Sequence, residues 1–434
     1  MKFMKRALLI FLSCILVVAG LTGCSNGTNS SQTDSGQSAS GESSESGDKV
    51  KLEFLQGKPE SVDAYNVIIE KFMEEYPNIE VEQINLPETY TVLTTRLSSG
   101  DYPDLFNHFP LRTDFDVLVE SGQILDLSEE PYLANVNQEI LEMSRKEDGN
   151  IYSLPLTQNT MGIYYNNEIL ERVGGEIPKT YEELIALLDR VKEEPEGKFL
   201  FACKDSWTLG QMMDRRLGQL FINSGTDFDQ TFKDIGAGNL NAADIPEISQ
   251  ASEKMLQLFK YAQNDPFGTS FTQMCDDFAT GKGIAFFQGT WAYPNIKKAN
   301  PDLDFSFAAF PADQGQNSTL STNIDIGLCI PSGSAHVEEA KIFLEFISQH
   351  ENAQIFNDLD GSLSLINGVE NTVEEFDTVF NAINQGDVYE MMSNYWPNGY
   401  MTRLQDLVSA MLLNNDPETF YKDLDSLTVE LYNQ

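Results

Sequence analysis

Positive charge is scarce in this 434-residue chain: Lys and Arg number 28 against 67 Asp and Glu, a formal net charge of −39. So acidic a chain repels phosphate backbones and anionic lipid, which excludes nucleic acid as a partner and favours neutral or cationic ligands over anions. Most of the charge reads as solvated surface, so it narrows the ligand without naming it. Histidine is scarcer still. His108, His336 and His350 show no HExxH or comparable zinc spacing. Of five cysteines, Cys203, Cys275 and Cys329 lie far apart in the bulk of the chain with no CxxC pair. Buried thiols are the expectation, with one pair among them left open. Asp358, Asp360 and Gly361 hint at a calcium loop, but the register puts Phe356 at the first ligand position and Asn367 at the last, which fails. No metal or cofactor is expected. The chain has no P-loop and no GxSxG elbow. A glycosidase needs only two placed carboxylates, and spacing does not exclude one among so many acids.

What is present begins with an address. Lys2, Lys5 and Arg6 precede an apolar run from Ala7 to Val18, and small residues lead to Leu21-Thr22-Gly23-Cys24. The run is too short for a membrane span and is followed by a polar tract, so it reads as a secretory signal. Its ending resembles a bacterial lipobox, which implies removal of residues 1–23 and lipid on the Cys24 sulfur. An ordinary secretory signal or an uncleaved anchor are the alternatives. Residues 24–48 are almost wholly Ser, Gly, Asn, Gln, Thr, Asp and Glu, with Ala39 the one apolar side chain after Cys24. Such a tract cannot build a core and is expected to be a flexible tether, reaching roughly 25–30 Å.

The remaining length suffices for two domains. Val50, Leu52 and Phe54 alternate as in a strand; Val62, Tyr65, Ile69, Phe72 and Tyr76 recur at helical spacing, and a second strand follows around Ile79 and Val81. A βαβ opening implies a largely parallel sheet, with ligands at the carboxyl ends of its strands, where Gln56-Gly57-Lys58 falls. A short helix over Tyr90–Leu97 and a strand at Leu105-Phe106 deliver Asn107 and His108 to the same edge. Thr180 with Glu183 spells a capping box before Leu184, Ile185, Leu188 and Val191, and Val337, Ala340, Phe343, Leu344 and Ile347 form another helical stripe. Within Phe278–Pro294, FATGKGIAFFQGTWAYP, a buried strand over Ile284–Phe287 stops at Gly289. Glycine there lets the backbone approach something closely, and Trp291 just beyond is either core or a pocket wall.

Several stretches in order carry a resemblance: YPNIEVEQ, SSGDYPDLF, GIYYNNEIL with IPKTYEELIALLDRVK, FATGKGIAFFQGTW, FAAFPAD, IGLCIPSGSAHVEEAKIFLEFI and GSLSLINGV. Together they cover most of Lys51–Val369, and they resemble the bacterial extracellular solute-binding proteins of family 1, the substrate receptors of ABC importers. The resemblance implies an α/β, two-lobe, periplasmic-binding-protein-like fold, each lobe a mostly parallel sheet flanked by helices, with the ligand in the cleft between. It places an amino-terminal lobe at 49–157 plus 312–362 and a carboxy-terminal lobe at 158–307 plus 368–434. The crossings fall near Leu154–Met161, Phe307–Ala312 and Gly361–Gly368.

It further implies a non-enzymatic receptor for a carbohydrate, an oligosaccharide first, monomeric, lipid-anchored on the extracellular face of the membrane and working with permease subunits. A cationic solute such as a polyamine is the alternative within the binding class, and the glycosidase is the alternative outside it. Sugars need aromatic faces and hydrogen-bonding side chains. By resemblance Trp291 stacks on the ligand, while His108, Asn159, Trp207 and Trp396 sit at positions that reach the cleft. Gln56, Lys58 and Asp325 are further candidates from strand ends, and Arg112 is another, each with a plain structural role as its alternative.

Overall fold

The computed structural model describes residues 49–433 apart from Pro87 and Asp387. The signal, Cys24 and the polar tract lie outside the described residues. Among the described residues there are ten strands: β1 (Val50–Leu55), β2 (Ile79–Ile84), β3 (Leu105–His108), β4 (Leu154–Asn166), β5 (Phe199–Leu200), β6 (Ala285–Gly289), β7 (Phe305–Ala308), β8 (Leu320–Cys329), β9 (Leu363–Ser364) and β10 (Val388–Glu390). They run in the order β2-β1-β3-β8-β4-β6-β5, with β10 beside β8 and with β7 and β9 beside β4.

The amino-terminal part is the expected βαβ unit. Helix α1 (Val62–Glu75) follows β1 and turns Tyr65, Ile68, Ile69 and Phe72 inward. Tyr65 meets Phe54 and Phe356 with ring centres 4.8 Å away in each case. Phe72 meets Phe343 of the helix Val337–Ser348 at 5.1 Å. Each such ring contributes roughly 1.5–3 kcal/mol through burial, and together they fix the helix on the sheet. β1 pairs in parallel with both β2 and β3, so the turn after β1 and the end of β3 meet at one edge.

The sheets are more mixed than the sequence suggests. β3 and β8 are antiparallel, as are β4 and β8, and β4 is antiparallel to β6 and β7; β5 and β6 are parallel. The reason is that β4 and β8 pass through both cores in opposite directions. Leu154 and Leu156 of β4 pack in a first core with Ile324, Ile326 and Leu328 of β8. Met161, Ile163, Tyr164 and Tyr165 of β4 pack in a second core, joined by Leu320 of β8. Leu320 thus packs in the second core while Ile324, Ile326 and Leu328 pack in the first, so β8 passes from one core to the other. β9 adds a third strand here, Leu363 and Ser364 pairing with Gln158 and Thr157. The register of β4 slips on both sides of Thr157, beside Pro155, as expected where a strand must bend.

The capping box forms, with Thr180 Oγ1 accepting the Glu183 N–H at 3.2 Å, and Glu183 Oε2 accepting the Lys179 N–H at 2.8 Å. Cys203, Cys275 and Cys329 are free, buried thiols. Among the described residues no helix is long and apolar enough to cross a membrane.

Candidate functional site

Where the two cores meet, the ends of several strands bring polar and aromatic groups together. β1 ends in the turn Gln56-Gly57-Lys58, and Gln56 holds that turn. Its Oε1 accepts the Lys58 N–H at 2.6 Å, and its Nε2 donates to Gln83 Oε1 at 2.7 Å. The Gln56 carboxamide is therefore engaged at both ends within the protein.

Lys58 projects from this turn into a buried position. Its Nζ lies 2.8 Å from Asp325 Oδ2 on β8 and 3.0 Å from Glu60 Oε1. Burial disfavours its charge, but Asp325, Glu60 and Asp360 together outweigh that and hold the ammonium well above the usual lysine range. Asp360 is itself held by Ser61, whose hydroxyl donates at 2.5 Å, and by the Ser362 hydroxyl. Burial pushes its carboxyl up to about 6, with Lys58 opposing.

The Lys58 ammonium also lies 5.8 Å from the centre of the Trp291 ring, so a first-lobe cation faces a second-lobe aromatic. Trp291 follows β6 in the short turn Thr290–Ala292. Its indole donates to Gln288 Oε1 at 3.1 Å, and its ring folds back over Gly289, where any Cβ would collide with it. Close approach is thus the role of that glycine, and what approaches is Trp291 itself. Trp207 opens the helix Trp207–Ser224, packs on Phe271 with ring centres at 5.2 Å, and lies 6.4 Å from Trp291. It remains 37% exposed, whereas Trp291 is buried at 8%, so the accessible face here belongs to Trp207.

On the first-lobe edge, His108 ends β3 and is buried against Tyr90 at 5.2 Å and Phe115 at 5.5 Å. Burial pushes its imidazole down to about 4, against the pull of Asp114. Arg112 lies over the Phe109 ring at 5.2 Å and donates to Asp114 Oδ2 at 2.6 Å, an ordinary ion pair near the surface. Asn159 of β4 faces Asn323 of β8 in register, and its carbonyl accepts the Thr322 hydroxyl at 3.1 Å. Asn323 Oδ1 in turn accepts from Asn394 at 3.2 Å.

The third tryptophan is elsewhere. Trp396 is 1% exposed, its ring packed in the second core by Phe228, Phe232 and Tyr400 at 5.8, 5.9 and 5.0 Å. Its carbonyl reaches the other lobe, accepting the Thr113 hydroxyl at 2.9 Å. Two of these rings, Phe228 and Phe232, come from a helix distant in sequence, which is why its loop setting misleads. The structure thus unites Lys58, Asp325, Trp291 and Trp207, sets His108 nearby and Asn159 on the crossing strands, and removes the Trp396 ring. Glu60, Asn323 and Tyr90 were missed. Glu60 has a sequence signal, two residues beyond Lys58 in the same turn; Asn323 and Tyr90 have none beyond their polarity.

Two cores sharing their long strands, with an ionic and aromatic seam where they face each other, make the architecture of a two-lobe cleft-binding protein. The chain belongs to the bacterial extracellular solute-binding proteins, whose profile matches residues 58–354. It is 30% identical over 338 residues to the multiple sugar-binding protein of Streptococcus mutans, covering 74% of this chain and 76% of that one. It is 24% identical over 358 residues to the melibiose/raffinose/stachyose-binding protein MelE of Bacillus subtilis, covering 81% and 79%. Among solved structures, the solute-binding protein RafE in complex with raffinose superposes with a TM-score of 0.80 at 23% identity, over 88% of this chain and all of that one.

Proposed function

We propose that this protein captures a carbohydrate, an oligosaccharide, between its lobes and presents it to the permease of an ABC importer. The observation that carries the reading is the Trp207–Trp291 pair, exposed at Trp207, facing the Lys58–Asp325 ion pair across the seam. Aromatic faces suit the C–H patches of sugars, and an ion pair offers hydroxyls a strong donor and a strong acceptor at once. Family membership and the sugar-binding names of the relatives support the same class.

The lobes we take as 49–157 plus 312–362 and 158–307 plus 368–434, with β8 as a shared strand. Asn159, His108 and Arg112 would line the cleft beside the core set. The amino-terminal segment supports a lipid anchor at Cys24, holding a monomeric receptor on the outer face of the membrane. A cationic solute is less well served, because Glu60 and Asp325 are already bound by Lys58. No bond is broken in this account. Ligand touching both lobes favours the closed form, and the permease reads that form.

The test is a thermal-shift screen of residues 49–434 against mono- and oligosaccharides, polyamines and amino acids, with the ligand recovered and identified afterwards. A ligand that binds only the folded form adds about 2.7 kcal/mol at a hundredfold excess over its dissociation constant. A saturable rise with one oligosaccharide, recovered intact, is expected. A rise with polyamines alone would overturn the ligand class, and a cleaved sugar would overturn the receptor.

A further inference from the structure

The helix Trp207–Ser224 is buried along most of its length, and the buried part includes two adjacent arginines, Arg215 and Arg216. Arg215 has its counter-charge. It pairs with Asp214, whose other carboxylate oxygen accepts the Ser393 N–H at 2.9 Å. Arg216 has none among the described residues. It is 1% exposed, and burial pushes its guanidinium down to about 10, with only the Tyr181 and Tyr389 phenols acting the other way.

The groups in contact with this guanidinium are neutral. Its central carbon lies 4.4 Å from the centre of the Phe310 ring and 5.8 Å from that of Tyr181. Nη1 donates to Gln219 Oε1, and Gln219 Nε2 in turn donates to the Phe310 carbonyl at 2.9 Å. Nε and Nη2 are buried without a hydrogen-bond partner. These two nitrogens form one edge of the group, the fork that receives an anion side-on. Ring faces offset part of a cation's charge but do not accept from N–H groups lying in its plane as an anion does. The acids of the surrounding loops are engaged elsewhere. Asp313 is bound by Lys254, whose ammonium lies 4.5 Å from the same Tyr181 ring, and the exposed Glu182 accepts the Gln314 N–H at 3.2 Å. A second cation therefore crowds the first, and a buried charge left so is strongly disfavoured.

We propose that Arg216 holds a small monovalent anion inside the second lobe, bound side-on by its Nε and Nη2 groups. One charge is what the site balances; a phosphate or sulfate dianion would bring a second negative charge among aromatic rings. The site is separate from the carbohydrate contacts, since Arg216 lies about 13 Å along the helix from Trp207. It is nevertheless joined to them. Phe310 meets Phe287 of β6 with ring centres at 5.3 Å, and β6 leads into the turn that carries Trp291. The anion thus braces the helix of Trp207 and the strand before Trp291 together, whatever solute the cleft takes.

Melting curves at constant ionic strength, with chloride, nitrate, formate or glucuronate replacing gluconate, test the assignment on the wild type and on Arg216→Met, which keeps apolar bulk without the fork. The wild-type melting temperature is expected to rise by about 2 °C or more, and to saturate, with at least one of the three small anions. The variant shows no anion-specific rise. Parallel responses in the two proteins, or no rise in the wild type, would overturn the proposal. So would a rise with glucuronate alone, because the fork would then read a carboxylate carried by the captured solute. If Arg216→Met does not fold, wild-type crystals grown in bromide decide the matter. An anomalous peak beside Nε and Nη2 is expected there, and a water or no density at that edge would overturn the proposal.

Discussion

Lys58 shows why the seam holds together. A lone ammonium at this depth would be strongly disfavoured, and the pair with Asp325 is tolerated because Glu60 and the Trp291 face complete its surroundings. His108 has the opposite solution, remaining neutral. Its value drops from 6.5 to about 4 through burial, with Arg112 and Lys146 acting in the same direction and Asp114 against. Between those values the unfolded chain binds a proton that the folded one does not, so stability rises with pH across the window and is lost as pH falls from 6.5 toward 4. The effect is on the order of 3 kcal/mol when complete. Asp360, raised from 3.8 to about 6, opposes part of it, because there the folded form holds the extra proton. Urea unfolding at several pH values should therefore show the wild type losing stability relative to His108→Gln as pH drops through this range. Parallel curves for the two proteins would show that His108 is not buried neutral. At this scale legibility was uneven. Trp291 and Lys58 follow strand ends that the sequence marks with glycine, whereas the inward turn of Tyr90 depends on Gly57, a residue thirty-three positions earlier, and no local pattern reports such a meeting.

Among elements, the first βαβ unit and the capped helix Tyr181–Val191 were readable because their signals are local: alternation, helical spacing, a capping pair. The passage of β8 from one core to the other has no such local signal, since which core Leu320, Ile324, Ile326 and Leu328 each join depends on partners distant in sequence. The loop before Tyr400 misled for a related reason. Its Ser393 N–H donates to Asp214 Oδ1 at 2.9 Å and its Asn394 reaches β8, contacts that bind it into the second lobe and bury Trp396. The amino-terminal segment is the element whose chemistry is all in the sequence: a basic start, an apolar run and Leu-Thr-Gly-Cys. Cys24→Ser should move the protein from the membrane fraction to the medium, as immunoblotting of fractionated cells would show. Retention on the membrane with an intact signal would point to a different anchor.

For the molecule as a whole, the contacts between lobes decide how it moves. β4, β8 and β9 tie the lobes along one line. Lys58 over Trp291, Thr113 against the Trp396 carbonyl, and Lys298 with Asp63 at 2.8 Å join them elsewhere. The last of these is exposed and worth little by itself. A ligand that bridges the tryptophan pair and the Lys58 edge adds contacts found only when the lobes are together, which shifts the population toward closure. The central claim is that the ligand sits on Trp291. The chain has three tryptophans, and Trp396 is locked in the core, so emission that responds to ligand must come from Trp291 and Trp207. The decisive measurement is a fluorescence titration of wild type and Trp291→Ala with the oligosaccharide that stabilises the wild type. The account predicts a saturable change in the wild type and at least a tenfold weaker response in the variant, in keeping with a stacking contact of about 1.5 kcal/mol. A variant that titrates with the same midpoint as the wild type would contradict it.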